Sequence, residues 1–162
     1  MIIGVLSDTH IPTKAKALPS ALLSAFEGVD HIIHAGDILN LDVIRQLEGL
    51  APVSAVAGNV DTPETKGRFS EKAMLTFGAL RIGVVHGHGK GGSTVSRAFA
   101  AFHNDIVNCI VFGHSHIPYH QYHGCILMFN PGSPTDKRRC SHFSFGIIEL
   151  NDTINARHIY FK

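Results

Sequence analysis

Five short motifs built from aspartate, asparagine and histidine each follow a run of apolar residues. They are Asp8-Thr9-His10, Gly36-Asp37, Gly58-Asn59, His86 and Gly113-His114-Ser115-His116. Carboxylate oxygen, amide oxygen and neutral imidazole nitrogen all bind divalent metal ions. The motifs contain seven such donors, which is more than one ion needs. Two neighbouring metal ions are typical of sites that hydrolyse phosphate esters, so the sequence predicts a two-metal hydrolytic centre.

The apolar runs before the motifs predict β-strands that end at the donors. These strands are residues 2–6, 30–34, 52–57, 80–85 and 107–112. Two amphipathic segments, 19–26 and 41–47, separate the first three strands and predict helices. This alternation predicts right-handed βαβ units and a parallel sheet, whose strands all end at one edge. The donors are therefore expected to converge on that edge, where open α/β folds place their sites.

The rest of the chain predicts a second, largely antiparallel part. Residues 73–77 and 80–85 are typical of a hairpin, whereas the proline and glycine within 61–71 predict a loop. After residue 112 the helical period ends, and four strands joined by turn residues indicate an antiparallel meander. We therefore expect an α/β fold in a single domain, residues 1–162, with two sheets packed face to face and helices outside.

Spacing within the motifs predicts how the donors meet. Asp8 and His10 are two residues apart, and His114 and His116 repeat that spacing. Along an extended backbone such residues point to the same side, so each pair is expected to grip one ion. Asp37 has two carboxylate oxygens with which to bridge two ions, and the glycine before it allows close approach.

The composition argues against several other classes of protein. A formal net charge of +1 gives no basis for general nucleic-acid or membrane-surface binding. No apolar stretch is long enough to cross a bilayer, and the chain opens directly on a strand-like segment. Twelve histidines is a high count that favours metal chemistry. Cys109, Cys125 and Cys140 form no CxxC pair and are interpreted as small apolar residues, so we expect a cytoplasmic protein.

Taken together and in this order, the five motifs resemble those of the calcineurin-like metallophosphoesterase superfamily. The chain length, His86-Gly87-His88 and Asn130-Pro131-Gly132-Ser133 are similar to its small single-domain phosphodiesterase branch. The resemblance implies a four-layer α/β/β/α sandwich of two mixed sheets flanked by helices. It also implies an enzyme that hydrolyses phosphodiester bonds with a hydroxide bridging two metal ions.

The resemblance also implies a ligand set for each ion. The first ion is held by Asp8, His10, Asp37 and His116. The second is held by Asp37, Asn59, His86 and His114, so Asp37 is the bridge. We expect catalytic roles for Asp37, Asn59 and His10, and substrate contacts from His88 and Asn59. Mn²⁺ is the expected activator of these nitrogen and oxygen donors, with Fe, Ni, Co or Zn as alternatives.

One position departs from the family pattern. Many members have histidine directly after the motif's asparagine, where it resembles a general acid for the leaving group, but this chain has Val60. Because general acid catalysis contributes about 10²–10⁴-fold, we expect slow turnover of esters with poor leaving groups. Two divalent ions, two carboxylates and one hydroxide leave a charge of about +1, which favours a diester monoanion over a monoester dianion.

Several alternatives remain open at the level of the sequence. Residues 87–92 match G-x-G-x-x-G, a dinucleotide-binding pattern, but they come late in the chain instead of opening the first βαβ unit. Lys137-Arg138-Arg139 is interpreted as a solvated turn, although Lys90, Arg138 or Arg139 would suit a monoester's extra charge. A protein-binding module similar to the retromer scaffold subunit, with a vestigial metal site, is the alternative to an enzyme. A homodimer or homotetramer is also compatible with the sequence.

Overall fold

The computed structural model describes all residues, 1–162, and contains ten strands in two five-stranded sheets. The strands are β1 (Ile2–Leu6), β2 (His31–His34), β3 (Val53–Ala55), β4 (Lys72–Phe77), β5 (Leu80–Val85), β6 (Cys109–Phe112), β7 (Tyr119–His123), β8 (Ile126–Asn130), β9 (Phe143–Leu150) and β10 (Ile154–Phe161). The helices are α1 (Ser20–Phe26), α2 (Leu41–Glu48), α3 (Pro63–Arg68) and α4 (Thr94–Ala100). None of these helices has the length and apolar character needed to cross a membrane.

The first sheet has the strand order β10-β9-β1-β2-β3. Its strands β1, β2 and β3 are parallel, with Val5 opposite Ile33 and Ile33 opposite Ser54. Because α1 and α2 connect these strands, the predicted βαβ arrangement is confirmed. β9 joins the other side of β1 in the antiparallel direction, so the sheet is mixed.

The second sheet has the order β4-β5-β6-β8-β7 and is also mixed. Its three central strands, β5, β6 and β8, are parallel to one another. The outer strands β4 and β7 pair with them in the antiparallel direction. The two strands that precede His86 and Gly113 are thus parallel neighbours and end at the same edge of this sheet.

Three apolar clusters separate the layers. One lies between the sheets and includes Val5, Ile33, Val111 and Phe129. A second lies between the first sheet and the helices α1 and α2, and includes Leu6, Leu22, Phe26, Ile32 and Ile44. A third packs α4 on the second sheet and includes Ala98, Phe102, Ile110 and Phe112. This is the predicted α/β/β/α sandwich, which is therefore confirmed.

Side chains of β1 alternate between two of these clusters, as strand geometry requires. Val5 faces the second sheet and Leu6 faces the helices. Gly4 also faces the helices, and a Cβ atom there would lie 2.8 Å from the Phe26 ring. The absence of that atom lets α1 pack closely on the strand that leads to Asp8.

Two sequence predictions about the fold were wrong. Residues 61–71 are not a loop, because they contain α3, in which Thr62 caps the helix and Pro63 occupies its first turn. Proline interrupts a helix when it is internal, but it is favoured at the first helical position. The hydroxyl of Thr62 also accepts a hydrogen bond from Thr65 N, which caps the helix. The last four strands do not form one meander: β7 and β8 join the second sheet, while β9 and β10 join the first.

Candidate metal centre

The ends of the parallel strands bring the predicted donors together at one edge of the sandwich. Asp8, Asp37 and Asn59 follow β1, β2 and β3 of the first sheet. His86 follows β5, and the 114–116 segment follows β6, in the second sheet. The donors do converge at strand ends, as predicted, but they come from both sheets and not from the edge of one parallel sheet.

One group of donors consists of Asp8, His10 and His116, whose ligand atoms all lie within 4.8 Å of one another. His116 Nε2 lies 3.4 Å from Asp8 Oδ1, and His10 Nε2 lies 3.8 Å from the same oxygen. The two imidazole rings are stacked with their Nε2 atoms 3.3 Å apart. All three side chains are buried, so their ligand atoms are shielded from bulk solvent.

A second group consists of Asp37, His86 and His114, again within 4.8 Å of one another. His86 Nε2 lies 3.1 Å from Asp37 Oδ2. Asn59 joins this group, because its Oδ1 lies 3.1 Å from His114 Nδ1. The structure thus brings together all seven residues that the sequence singled out as donors.

Asp37 lies between the two groups. Its Oδ2 is 3.1 Å from His86 Nε2 in the second group and 3.6 Å from His10 Nε2 in the first. Asp8 Oδ1 is likewise 3.8 Å from His86 Nε2. The two groups therefore share a boundary made of carboxylate oxygens.

Two buried atoms at this boundary have no hydrogen-bond partner, namely Asp8 Oδ1 and His86 Nε2. An unpartnered buried polar atom costs about 1–3 kcal/mol, so such atoms are rare in folded proteins. The two atoms lie 3.8 Å apart, and a cation bound among the donors would pair with both of them. The residues present therefore fit a bound metal ion.

The tautomers of two histidines also suit metal binding. The Nδ1–H of His86 donates to the Ala35 carbonyl oxygen at 2.7 Å, and the Nδ1–H of His116 donates to the Asp136 carbonyl oxygen at 2.6 Å. In each ring Nε2 then faces the site, where its lone pair would bind a metal ion that displaces any proton there. Hydrogen bonds of this kind fix the orientation of histidines that bind metals.

Donors in three motifs have left-handed backbone, which the sequence did not predict. Positive φ angles occur at Asp8 (56°), His10 (46°), Asp37 (58°), His114 (67°) and His116 (60°). The expectation that Asp8 and His10 lie on an extended backbone is therefore wrong. Left-handed residues other than glycine are strained and cluster at functional sites. Asp8 and His10 converge because the backbone turns sharply after β1, and not because it stays extended. The expectation that His114 and His116 grip one ion is wrong, because His116 lies in the first group and His114 in the second.

Comparisons with known proteins agree with this geometry. A model of the calcineurin-like phosphoesterase superfamily domain matches residues 1–153. The chain belongs to this superfamily. A probable metallophosphoesterase of Methanocaldococcus jannaschii is 35% identical over 162 residues, covering 98% of this chain and 81% of the relative.

A phosphodiesterase of the same organism is 27% identical over 146 residues, covering 82% of this chain and 83% of the relative. Among solved structures, Vps29 of Entamoeba histolytica complexed with Zn²⁺ superposes with a TM-score of 0.80. It is 22% identical, and the match covers 100% of both chains. This chain is thus a phosphoesterase of the calcineurin-like superfamily with two candidate metal-binding groups.

Asp61 supports the superfamily site from behind. Its buried carboxylate accepts hydrogen bonds from Ile38 N and Leu39 N, both at 2.7 Å. It also accepts from Gly58 N at 2.7 Å and from Asp37 N at 3.1 Å. One carboxylate therefore holds the turn after β2 against the turn after β3.

Glycine at position 58 is required by the closeness of these two turns. A Cβ atom on Gly58 would lie 2.1 Å from Asp37 Oδ1 and 2.5 Å from Asp37 N. The same argument applies to Gly113, where a Cβ atom would lie 1.9 Å from Ser7 Oγ. The glycines beside the donors therefore allow backbone segments from different strands to touch.

The Asn130–Ser133 motif fastens the site from the second sheet. Asn130 Nδ2 donates to the Gly113 carbonyl oxygen at 2.9 Å and to Ser115 Oγ at 3.1 Å. Ser133 Oγ donates to the Asp8 carbonyl oxygen at 2.8 Å. The motif thus ties the donor loop after β6 to the donor loop after β1.

His88 lies at the rim of the second group. Its ring centroid is 5.6 Å from that of His86 and 6.4 Å from that of His114, and its Nδ1 has no partner. The glycine loop that contains His88 is held by Arg97, whose Nε donates to the Gly87 carbonyl oxygen at 3.0 Å. The loop that matched the dinucleotide pattern is therefore ordered by an arginine of its own chain.

Charges at the centre favour a cation between the carboxylates. Burial works against ionisation of Asp8, but contact with His10 and the charges of the neighbouring histidines outweigh it and lower the pKa of Asp8 to about 2. Burial also works against protonation of His86, but Asp37 and Asp8 outweigh it and raise the pKa of His86 to about 9. Without a metal ion, the protonated imidazole of His86 offsets only one of the two carboxylate charges, so the centre remains negative and a divalent ion would neutralise it.

His34 is a buried neighbour of the centre. Burial lowers its pKa to about 4, so the ring is neutral in the folded protein. Its Nδ1 accepts from Gly36 N at 3.2 Å, which leaves the proton on Nε2 to donate to Thr9 Oγ1 at 3.1 Å. The ring connects the turn after β1 to the turn after β2.

Proposed function

We propose that this protein is a metal-dependent phosphodiesterase with two divalent ions at the strand ends. The observation that carries the proposal is the position of Asp37, whose Oδ2 lies within 3.6 Å of nitrogen donors in both groups. A carboxylate placed between two donor groups can bridge two ions, and paired ions are typical of phosphoester hydrolysis. The phosphodiesterase relative supports a diester substrate.

The proposed ligands follow from the two donor groups. Asp8, His10, Asp37 and His116 would hold the first ion. Asp37, Asn59, His86 and His114 would hold the second. Nitrogen and oxygen donors without a thiolate suit Mn²⁺, and Fe, Ni, Co and Zn bind the same donor types. When bound, the ions would activate water and neutralise charge on the phosphoryl group.

The residues of the chain have distinct tasks in this proposal. Asp37 fixes the separation of the two groups, and its position is itself fixed by the Asp61 carboxylate through Asp37 N. Asn59 supplies an uncharged oxygen next to His114 Nδ1, so it adds a donor without adding negative charge. His88 lies at the rim of the second group, where it would contact the phosphodiester. Val60 is exposed and contributes no proton donor to the leaving group.

The decisive experiment measures metal content and hydrolysis together. Purified protein is loaded with each candidate metal, its ions per chain are counted, and hydrolysis of bis-p-nitrophenyl phosphate is followed. We expect about two ions per chain and activity that chelation abolishes. In Asp37→Ala we expect loss of at least one ion and a fall in kcat/KM of about a hundredfold or more, because the shared ligand is gone.

Asp42→Ala is the matched control, because Asp42 is an exposed carboxylate that pairs with Arg45 on α2. It should keep both metal content and activity. Activity that survives complete chelation, or an Asp37→Ala protein with unchanged metal content and rate, contradicts the proposal. A protein that binds Mn²⁺ but leaves every diester intact would instead support the alternative of a protein-binding scaffold. The complete set of donors argues against that alternative.

The valine after Asn59 permits a separate test of the leaving-group step. Val60 N donates to Asp37 Oδ1 at 3.1 Å, so a side chain at this position projects beside the centre. Val60→His should raise the rate for an alkyl ester more than the rate for a p-nitrophenyl ester, because only the alkoxide needs a proton. Val60→Gln controls for size and polarity. Equal effects on both esters would show that the missing acid does not limit turnover.

A further inference from the structure

A cavity of about 380 Å³ lies beside the candidate metal centre and is lined by Ser115, Ile117, Arg138 and Arg139. Ser115 stands between the donors His114 and His116 in the sequence, so the cavity adjoins the donor loop itself. None of the four lining residues has a role in the function proposed above. The cavity is therefore a separate feature that borders the reaction site.

The Ser115 hydroxyl has an unused proton that is available to the cavity. Ser115 Oγ accepts hydrogen bonds from Ile117 N at 3.2 Å and from Asn130 Nδ2 at 3.1 Å. Both bonds use oxygen lone pairs, so the hydroxyl hydrogen remains free to donate to a bound group. Ile117 forms an apolar wall, and it is 57% exposed although it directly follows a buried donor.

The two arginines carry charge that the protein does not neutralise. Arg45, Arg68 and Arg157 each pair with a carboxylate. Arg138 and Arg139 form no such pair and make no side-chain hydrogen bond, and both are exposed at the cavity. Arg138 also has a left-handed backbone with φ 45°, an uncommon conformation for arginine.

Contacts with His116 hold the arginine turn in place. The Asp136 carbonyl oxygen accepts from His116 Nδ1 at 2.6 Å, and Cys140 Sγ donates to the His116 carbonyl oxygen at 3.9 Å. The turn also closes on itself through Cys140 N and the Lys137 carbonyl oxygen at 2.8 Å. The guanidinium groups are thus carried by a turn that is anchored on both sides to a candidate metal ligand.

We infer that the cavity binds a second phosphate group of the substrate, joined by a sugar-sized spacer to the phosphate at the metal centre. Planar guanidinium groups bind phosphate oxygens through paired hydrogen bonds, and the Ser115 hydroxyl supplies a further donor. Ile117 then covers the apolar face of the spacer. This inference rests on the proposed function, and it names nucleotide-like substrates with two phosphates as the preferred class. It also assigns a function to the basic run that the sequence favoured as a solvated turn.

The test compares two esters that differ only in the second phosphate. They are thymidine 5′-(p-nitrophenyl phosphate) and the same compound with an added 3′-phosphate. We expect wild-type protein loaded with Mn²⁺ to prefer the second compound by about tenfold or more in kcat/KM, because charge-assisted hydrogen bonds are strong. In the double variant Arg138→Asn, Arg139→Ser this preference should fall to near one, chiefly through KM.

The variant is designed to keep the fold. Asparagine tolerates the left-handed backbone at position 138, so the turn is preserved. The control is Arg45→Ser with Arg81→Ser, which removes the same charge from surfaces away from the donor loops. The control should keep the wild-type preference. If both double variants lose the preference to the same extent, general charge and not the cavity attracts the second phosphate.

Calorimetry gives an answer that does not depend on turnover. Thymidine 3′,5′-bisphosphate should bind the Mn²⁺-loaded protein about tenfold tighter than thymidine 5′-phosphate, and the arginine variant should lose this difference. Equal affinities in wild-type protein, or a difference that the variant retains, overturn the inference. If neither ester is hydrolysed but the binding difference is present, the proposed function fails while the phosphate site stands.

Discussion

Replacing Asp61 with asparagine tests whether one buried carboxylate holds the candidate metal centre together. Asp61 is only 5% exposed and accepts four backbone hydrogen bonds. Its Oδ1 accepts from the two N–H groups that follow Asp37, and its Oδ2 accepts from Asp37 N and Gly58 N. The side chain therefore connects two turns that would otherwise leave four donors unpaired.

The magnitude of the effect follows from this geometry. Asparagine retains one carbonyl oxygen, which still accepts from Ile38 N and Leu39 N. Its amide group faces Asp37 N and Gly58 N, so these two donors lose their acceptor and meet another donor. Each buried donor left unpaired costs about 1–3 kcal/mol, which predicts a loss of about 4 kcal/mol in the free energy of unfolding.

The assay is urea unfolding of metal-free protein, so that metal binding does not contribute. Asp42→Asn is the control, because Asp42 lies on the surface with its side chain 69% exposed and should cost about 1 kcal/mol or less. Asp61→Asn should also lower the affinity for Mn²⁺ by about 10–100-fold, as loss of a residue that orients ligands does. A change in stability no larger than that of the control would refute the reasoning.

The remaining predictions concern packing, pH and metal. Gly58→Ala should destabilise the protein by about 2 kcal/mol or more in urea unfolding, because the new Cβ would lie 2.1 Å from Asp37 Oδ1. Gly67→Ala in α3 has free space and should instead stabilise by about 0.5–1 kcal/mol, and a loss there would contradict this account. His34 is protonated below pH 6.5 when unfolded but only below about 4 when folded, so stability should fall by about 3 kcal/mol as the pH drops through that window. His34→Gln should lessen this fall in urea titrations at pH 7 and 4.5, and an unchanged pH dependence would count against it. Saturating Mn²⁺ at a hundred times its Kd should add about 2.7 kcal/mol of stability, and a chelator should remove it.

The position of the donors could be predicted from the sequence because one rule of fold topology determines it. Parallel strands end at one edge, so Asp8 and Asp37, which follow neighbouring strands, had to lie near each other. Patterning of apolar residues is enough to find such strands. For the same reason the layer order of the sandwich was predicted correctly.

The geometry within the site could not be predicted in the same way. The left-handed backbone at Asp8 and His116 depends on contacts with distant segments, such as the bond from Ser133 Oγ to the Asp8 carbonyl oxygen. A residue spacing of two fits a sharp turn as well as a strand. The four bonds to Asp61 likewise join segments more than twenty residues apart in most cases, and no local pattern encodes them.

Helix α3 and the division of the final hairpins between the two sheets were missed for different reasons. A short segment with a threonine cap and Pro63 in its first turn has too few apolar residues for a helical period to show. The assignment of the last two strands to the first sheet depends on β9 pairing with β1, whose sequence separation is more than a hundred residues. Strand patterns identify hairpins but do not identify the sheet that each one joins.

The two sheets supply unlike donors to the centre. Both carboxylates, the amide and the His10 imidazole follow strands of the first sheet, whereas the second sheet supplies only imidazoles, those of His86, His114 and His116. Ions held between them would cross-link the halves of the sandwich at one end. Because imidazole is protonated at higher pH than carboxylate, mild acid should detach the ions from the second sheet first. At that pH the two sheets would be joined only by the apolar cluster between them and by the hydrogen bonds between their loops.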